Sequence, residues 1–226
     1  MKQHLREHTG EREHQQIEVG RASEGRLQAA NPSPSINVAV DVPTTPLQHL
    51  YEDDEQELQI STFFQQAFAQ DLVLNRAGGS QITLHIGARP VPPVGKDRLS
   101  SEYRLAVHAL PQLQSQGDGI RAFTGILLHV LVIDRDIILI DEPEAFLHAP
   151  QATSLGRMLA RETPNPRQLI VATHSTDFLR GVLDIPGSPV RVVRIQRQGQ
   201  SNRIKELSPA AVREVARPTT EVLQDS

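Results

Sequence analysis

The chain predicts an α/β fold with a mostly parallel sheet flanked by helices, and three observations carry that expectation. Residues 137–140 are four consecutive aliphatic side chains, and residues 168–173 are a second apolar run of strand length. Between them, residues 151–161 have the length and patterning of a helix. Continuous aliphatic runs suit strands buried on both faces of a parallel sheet, and a right-handed strand–helix–strand crossover makes the two strands parallel.

The first run ends in Asp141-Glu142-Pro143-Glu144. Adjacent carboxylates at the end of an apolar strand are costly to build for stability alone, and open α/β sheets bind ligands at the carboxyl ends of their strands. This edge reads as the metal- and water-activating edge of a nucleotide hydrolase, with Asp141 near Mg²⁺ and Glu142 beside the attacking water. His174 follows the second run directly. Parallel strands would bring it to the same edge.

Such chemistry also needs a phosphate cradle, G-x-x-x-x-G-K-[ST], whose backbone N–H groups, lysine and hydroxyl hold phosphates and metal. The 226 residues contain no such string. Gly95-Lys96 comes nearest, but Asp97 follows it, Pro90 stands where the first glycine belongs, and Pro92 and Pro93 remove further N–H donors. Gly78-Gly79-Ser80 precedes neither a lysine nor a helix and reads as a turn. Gly117-Asp118-Gly119 opens an apolar helix over 120–131, so its free N–H groups and positive dipole end could face an anion.

The remaining elements follow in order. Residues 1–45 are rich in His, Gln, Glu, Arg, Gly and Pro and read as irregular, with one short strand expected over 36–40. Within them, residues 4–12 mimic the end of a zinc finger, but a chain without cysteine cannot complete that site. Thr45-Pro46 starts one or two helices over 46–70, and residues 71–75 and 81–86 read as a β-hairpin turning through Gly78-Gly79. His85 reads as an ordinary strand residue and 101–109 as a short helix. Residues 190–196 and 202–207 form a late hairpin, followed by a helix over about 209–216 capped by Ser208 and a tail at 217–226. The expected division is an irregular segment 1–45, an inserted lobe of helices and hairpin 46–110, a core 111–216, and the tail.

Composition narrows the function classes. A net charge of -4 argues against a broadly basic nucleic-acid footprint, and Arg191, Arg194, Arg197 and Arg203 read as the solvated face of the late hairpin, leaving nucleic acid as an open partner. Zero cysteines exclude disulfides and thiolate metal sites. No apolar run is long enough to span a bilayer and the start is polar, so a cytoplasmic location is expected.

Taken in order, these residues carry a family resemblance. The segment 115–184 resembles the second half of an ABC-type, P-loop NTPase-like ATPase domain, in the AAA-domain group related to OLD-family and AbiEii-like ATPases. Asp141-Glu142-Pro143-Glu144 with Leu147-His148 resembles that group's Walker B motif and D-loop, Thr173-His174-Ser175 its switch histidine, and Gly117-Asp118-Gly119 its signature loop. The resemblance implies ATP and Mg²⁺ as cofactors, with Asp141 holding the metal, Glu142 polarising the water and His174 contacting the γ-phosphate. It implies that Gly117, Gly119 and Ser115 of one subunit close on nucleotide held by another, with Glu144 and His148 near the seam of a homodimer or heterodimer. Gly117 stands where the signature often has serine, with Ser115 as the substitute hydroxyl. The Walker A strand and loop of the family, upstream of the lobe, have no counterpart in residues 1–45. Two function classes follow: an ATPase whose Mg-ATP-dependent dimer closure controls an effector, or a non-hydrolysing partner that completes an intact ATPase in trans.

Overall fold

The computed structural model describes residues 27–162, 168–187 and 189–215. The zinc-finger-like string at 4–12 and the tail at 217–226 lie outside them. Strand β1 (Ser33–Pro34) is followed by α1 (Pro46–Glu52), α2 (Asp54–Phe68), β2 (Asp71–Asn75), β3 (Gln81–Gly87), α3 (Ser101–His108), a 3₁₀ turn at Leu113–Ser115 and α4 (Asp118–Leu131). Then come β4 (Ile137–Asp141), α5 (Ala149–Glu162), β5 (Gln168–Ala172), α6 (Thr176–Leu183), β6 (Val193–Gln198), β7 (Ser201–Glu206) and α7 (Pro209–Val215).

Local chemistry explains the boundaries. Thr45 and Gln48 form a reciprocal capping box with Pro46 in the first turn, which starts α1. Asp53 then ends α1 in an extended conformation and caps α2 by accepting from the Gln56 N–H at 2.9 Å. Ser100 and Ser175 cap α3 and α6 in the same way, and Ser208 accepts from the Ala211 N–H at the start of α7.

The expected strand at 36–40 is instead a turn, and the strand in that region is β1. The Asn37 side chain accepts from the Ala39 N–H at 3.1 Å, and Asp41 accepts from the Asn37 N–H at 2.8 Å. These local bonds outcompete strand pairing, and Val38 and Val40 remain exposed.

Sheet parallelism is only partial, which corrects the expectation of a mostly parallel sheet. Among the described residues the strands form three sheets: antiparallel β1-β3-β2, parallel β4-β5 and antiparallel β6-β7. Short turns join β2 to β3 and β6 to β7 and allow only antiparallel pairing, whereas the α5 crossover permits the parallel pair. The expectation of strands buried on both faces also fails. Ile138 and Ile140 point into the core while Ile137 and Leu139 are each 45% exposed and Ile170 is 55% exposed. Among the described residues the parallel sheet is covered on one side only.

One apolar cluster joins the segments assigned from sequence to lobe and core. It runs from Leu47, Leu50 and Phe64 through Leu72, Leu84 and Ile86 to α4, whose residues 122–128 are all buried, and on to Ile140, Leu155 and Phe178. Phe68 meets Phe123 edge to face with ring centroids 5.0 Å apart, linking α2 to α4. A charged knot lies beside this core. Glu57 of α2 is 2% exposed, accepts from the Leu74 N–H at 3.2 Å and pairs with both Arg76 and Arg89.

Burial alone would push the Glu57 carboxyl up, but the guanidiniums of Arg89 and Arg76 outweigh it and hold it below its ordinary value of 4.5. The unfolded chain therefore binds this proton more readily, and the contribution is complete above pH 4.5 and lost as pH falls through the depressed native value. Glu57→Ala, which strands two guanidiniums, is expected to cost about 3 kcal/mol in urea denaturation at pH 7, with the difference from wild type shrinking as pH drops below 4.5.

Helices α5 and α6 touch backbone to backbone. A Cβ on Gly156 would lie 2.2 Å from the Phe178 carbonyl oxygen, and one on Gly181 would lie 2.0 Å from that of Thr153. Gly181→Ala should lower stability by about 1–3 kcal/mol, read as a shift of the denaturation midpoint at unchanged slope.

Candidate functional site

The site grows from the register of β4 on β5. Asp141 pairs with Ala172, and the Glu142 N–H extends the ladder to the Ala172 carbonyl at 2.8 Å. The chain then turns sharply. Ala145 N–H bonds the Glu142 carbonyl at 3.0 Å, and Leu147 N–H bonds the Glu144 carbonyl at 2.9 Å. Glu142 and Phe146 sit at φ 47° and 68°, left-handed conformations that side-chain-bearing residues avoid. Two such residues in five concentrate backbone strain of the order of 1–3 kcal/mol each at this loop, a pattern associated with functional sites.

Across the strand pair, His174 emerges beside the loop. Its Nδ1 lies 3.2 Å from Glu142 Oε1 and 3.6 Å from Glu144 Oε1. The imidazole is 78% exposed and Glu142 55%, whereas the Glu144 side chain is 9% exposed. Thr173 Oγ1 donates to Glu144 Oε1 at 2.7 Å and accepts from the Ser175 N–H at 3.0 Å. Ser175 Oγ in turn caps α6. The sequence reading expected Asp141, Glu142 and His174 at one edge, and the parallel register puts all three at the carboxyl ends of neighbouring strands. Asp141 is the exposed final residue of β4, on the same uncovered face as Ile137 and Leu139.

The other singled-out residues divide into neighbours and bystanders. The start of α4 packs against the loop, and a Cβ on Gly119 would fall 2.4 Å from the Phe146 carbonyl oxygen. Gly117, the N-cap of α4, has open space around it, and Ser115 Oγ donates to the Gln112 carbonyl at 2.7 Å. His148 is exposed just before α5. Glu144, expected near a subunit seam, is turned into its own chain.

Lys96 of the proline-rich loop pairs with Glu102, and Gly79, at φ 75°, forms the β2–β3 turn. His85 is 1% exposed, with Nδ1 donating to the Leu110 carbonyl at 2.8 Å and Nε2 3.0 Å from Thr83 Oγ1. Burial pushes its pKa below the ordinary 6.5, the Leu110 bond opposing and His108 adding to that shift. It is a packed strand residue, as its position in the hairpin implied. Every residue of β6 and β7 is exposed, including Arg194, Arg197 and Arg203.

The sequence reading missed that Thr173 and Glu144 are bonded to each other. The only signal in the chain was their position, one beside each strand end.

Three carboxylates within four residues repel a bare polyphosphate, so a nucleotide would approach this edge only with a divalent cation. Among the described residues no three His, Asp or Glu side chains converge as a closed metal cage. Asp141 is the residue that would hold such a cation. No helix among the described residues is long and apolar enough to cross a membrane.

Residues 97–180 match the family model described as AAA domain, putative AbiEii toxin, Type IV TA system, which covers less than half of the chain. No curated protein matches it. Among solved structures, an Smc head bound to the C-terminal winged-helix domain of ScpA aligns at TM-score 0.54 and 12% identity, over 84% of this chain and 56% of that one. A structure from work on ATP-driven dimerization and DNA-stimulated activation of SMC ATPases aligns at TM-score 0.48 and 13% identity, over 74% of this chain and 90% of that one. The Pyrococcus furiosus Smc head with an extended coiled coil, bound to the C-terminal domain of ScpA, aligns at 0.48 and 12%, over 71% of this chain and 36% of that one. At such identities the 0.54 alignment shows a fold shared with that Smc head.

The Phe146 contact gives a direct check on the loop. Gly119→Ala should destabilise the chain by about 1–3 kcal/mol in chemical denaturation. Gly117→Ala, with nothing near its Cβ, should cost only what replacing a glycine N-cap by alanine costs, up to about 1 kcal/mol.

Proposed function

We propose that this chain is an ATP-handling domain of the ABC-type AAA group, working through Mg²⁺-ATP and a second ATPase subunit. The observation that carries the reading is the meeting of His174 Nδ1 with Glu142 Oε1 at 3.2 Å, at the carboxyl ends of a parallel strand pair. The match of residues 97–180 to an AAA-domain model supports it. The OLD-family part of the resemblance rests on the motif string alone.

In this reading Asp141 holds Mg²⁺, which supplies charge neutralisation of the phosphates when bound. Glu142 accepts a proton from the attacking water as its oxygen bonds to the γ-phosphorus and the bond to the bridging oxygen breaks, giving ADP and phosphate. His174, held through Nδ1 against Glu142, contacts the γ-phosphate and reports its loss. Gly117 and Ser115, at the free start of α4, face the nucleotide of a second subunit, and His148 lies near the seam. Closure of that dimer on ATP would act on an effector protein.

A second reading is favoured by two specific observations. The 226 residues hold no G-x-x-x-x-G-K-[ST] string, and the outer face of β4-β5 carries exposed Ile137, Leu139 and Ile170. In that reading the chain is a non-hydrolysing partner that lends its α4 start to an intact ATPase.

Isothermal titration of the full chain with ATP and Mg²⁺ tests the first reading. Binding is expected with wild type, lost in Asp141→Ala, and retained in Glu142→Gln, whose hydrolysis should fall by about 10²–10⁴-fold. Absence of binding at millimolar ATP rejects it. The second reading expects hydrolysis only when an intact homologue is added, and fails if Gly117→Glu, which the open space at that position tolerates, leaves that activity unchanged.

A further inference from the structure

We infer that Glu144 is a positioning residue for His174, an assignment that rests on the reading of His174 as part of the nucleotide site. The geometry is a three-point hold. Glu144 Oε1 accepts from Thr173 Oγ1 at 2.7 Å and lies 3.6 Å from His174 Nδ1, which is also 3.2 Å from Glu142 Oε1. Thr173 Oγ1 accepts from the Ser175 N–H at 3.0 Å, so one carboxylate grips the backbone on which His174 is carried as well as facing its ring.

Stability does not explain this placement. Glu144 is 8% exposed and its Oε2 has no hydrogen-bond donor among the described residues, whereas Glu57, at 2%, is met by two arginines and a backbone N–H. A buried carboxylate held by one neutral hydroxyl and a solvent-facing imidazole is a poor structural element. It is also too buried to touch substrate, so it acts through His174.

The chemistry of the contact fixes the ring. Carboxylate oxygens only accept, and with two of them 3.2 and 3.6 Å from Nδ1 the form of the imidazole that carries a proton there is favoured electrostatically. His174 is thereby kept in one orientation and one protonation pattern despite being mostly exposed, conditions in which an imidazole would otherwise rotate freely. Glu142 alone cannot supply this, because its own side chain is half exposed. The buried Glu144 is the fixed point of the trio.

The test reads the ring directly and without nucleotide. The full chain is labelled with ¹⁵N-histidine, His174 is assigned by the signal lost in His174→Gln, and ring nitrogens are recorded at pH 8. Wild type is expected to be dominated by the Nδ1-protonated tautomer. Glu144→Gln, which keeps the volume and loses the charge, should lower that population, and Glu144→Ala should lower it further towards a freely exchanging ring, while the signals of buried His85 stay in place. An unchanged His174 spectrum in Glu144→Gln overturns the proposal, as does a wild-type ring without Nδ1 preference; Glu144→Gln decides alone if Glu144→Ala does not fold. A merely structural role would shift the melting temperature and leave the tautomer untouched. Where hydrolysis is measurable, alone or with an intact homologue, kcat should fall with KM unchanged, and a kcat equal to wild type overturns the proposal. Failure of ATP binding would sink the nucleotide reading and leave the ring result standing, so the two are told apart.

Discussion

Two glycines at the crossing of α5 and α6 hold the arrangement on which everything at the site depends. Gly156 faces the Phe178 carbonyl and Gly181 that of Thr153, at distances no side chain could occupy. The helices meet backbone to backbone, so α6, which leaves β5 just after His174, packs directly on α5, which leaves the β4 loop, while β5 lies beside β4 in parallel register. That register, not any contact near residue 174, is what carries an imidazole across to a carboxylate 32 positions earlier in the chain. A methyl group at either glycine would have to push the two helices apart.

The two buried glutamates illustrate how differently a fold can use the same group. Glu57 is neutralised by Arg76 and Arg89 and anchors α2 to the hairpin, so its desolvation is offset locally. Among the described residues Glu144 is faced only by the Thr173 hydroxyl and the exposed imidazole, sits in a loop with two residues at positive φ, and leaves one oxygen without a donor. Strain and incomplete pairing thus coincide within the same five residues, 142–146. The loop is in turn braced from below by the start of α4, where Gly119 lets the helix backbone approach the Phe146 carbonyl.

The uncovered face of β4-β5 gives the site a second physical character. Ile137, Leu139 and Ile170 form an apolar stripe leading up to Asp141, so the acidic edge is bounded by surface that water solvates poorly.

Much of this was legible in the residues. The 71–87 hairpin, the capped starts at Thr45 and Ser208, the helix of residues 120–131 and the strand–helix–strand order around Asp141 all follow from local patterning, because turns, caps and apolar period are short-range properties. The 36–40 segment misled because valines suggest a strand, while the side chains of Asn37 and Asp41 made a turn cheaper. Sequence alone also determined which groups could do chemistry: acidic residues closing one apolar run and a histidine closing another, with no cysteine and no phosphate-loop string. Only the tertiary structure decided that a single face of the parallel pair is covered, that Gly119 belongs to packing while Gly117 is open, and that Glu144 is buried beneath His174. Those facts depend on which backbones approach across distant stretches of chain, and no local pattern of residues encodes a distance between elements that pack only once the core has formed.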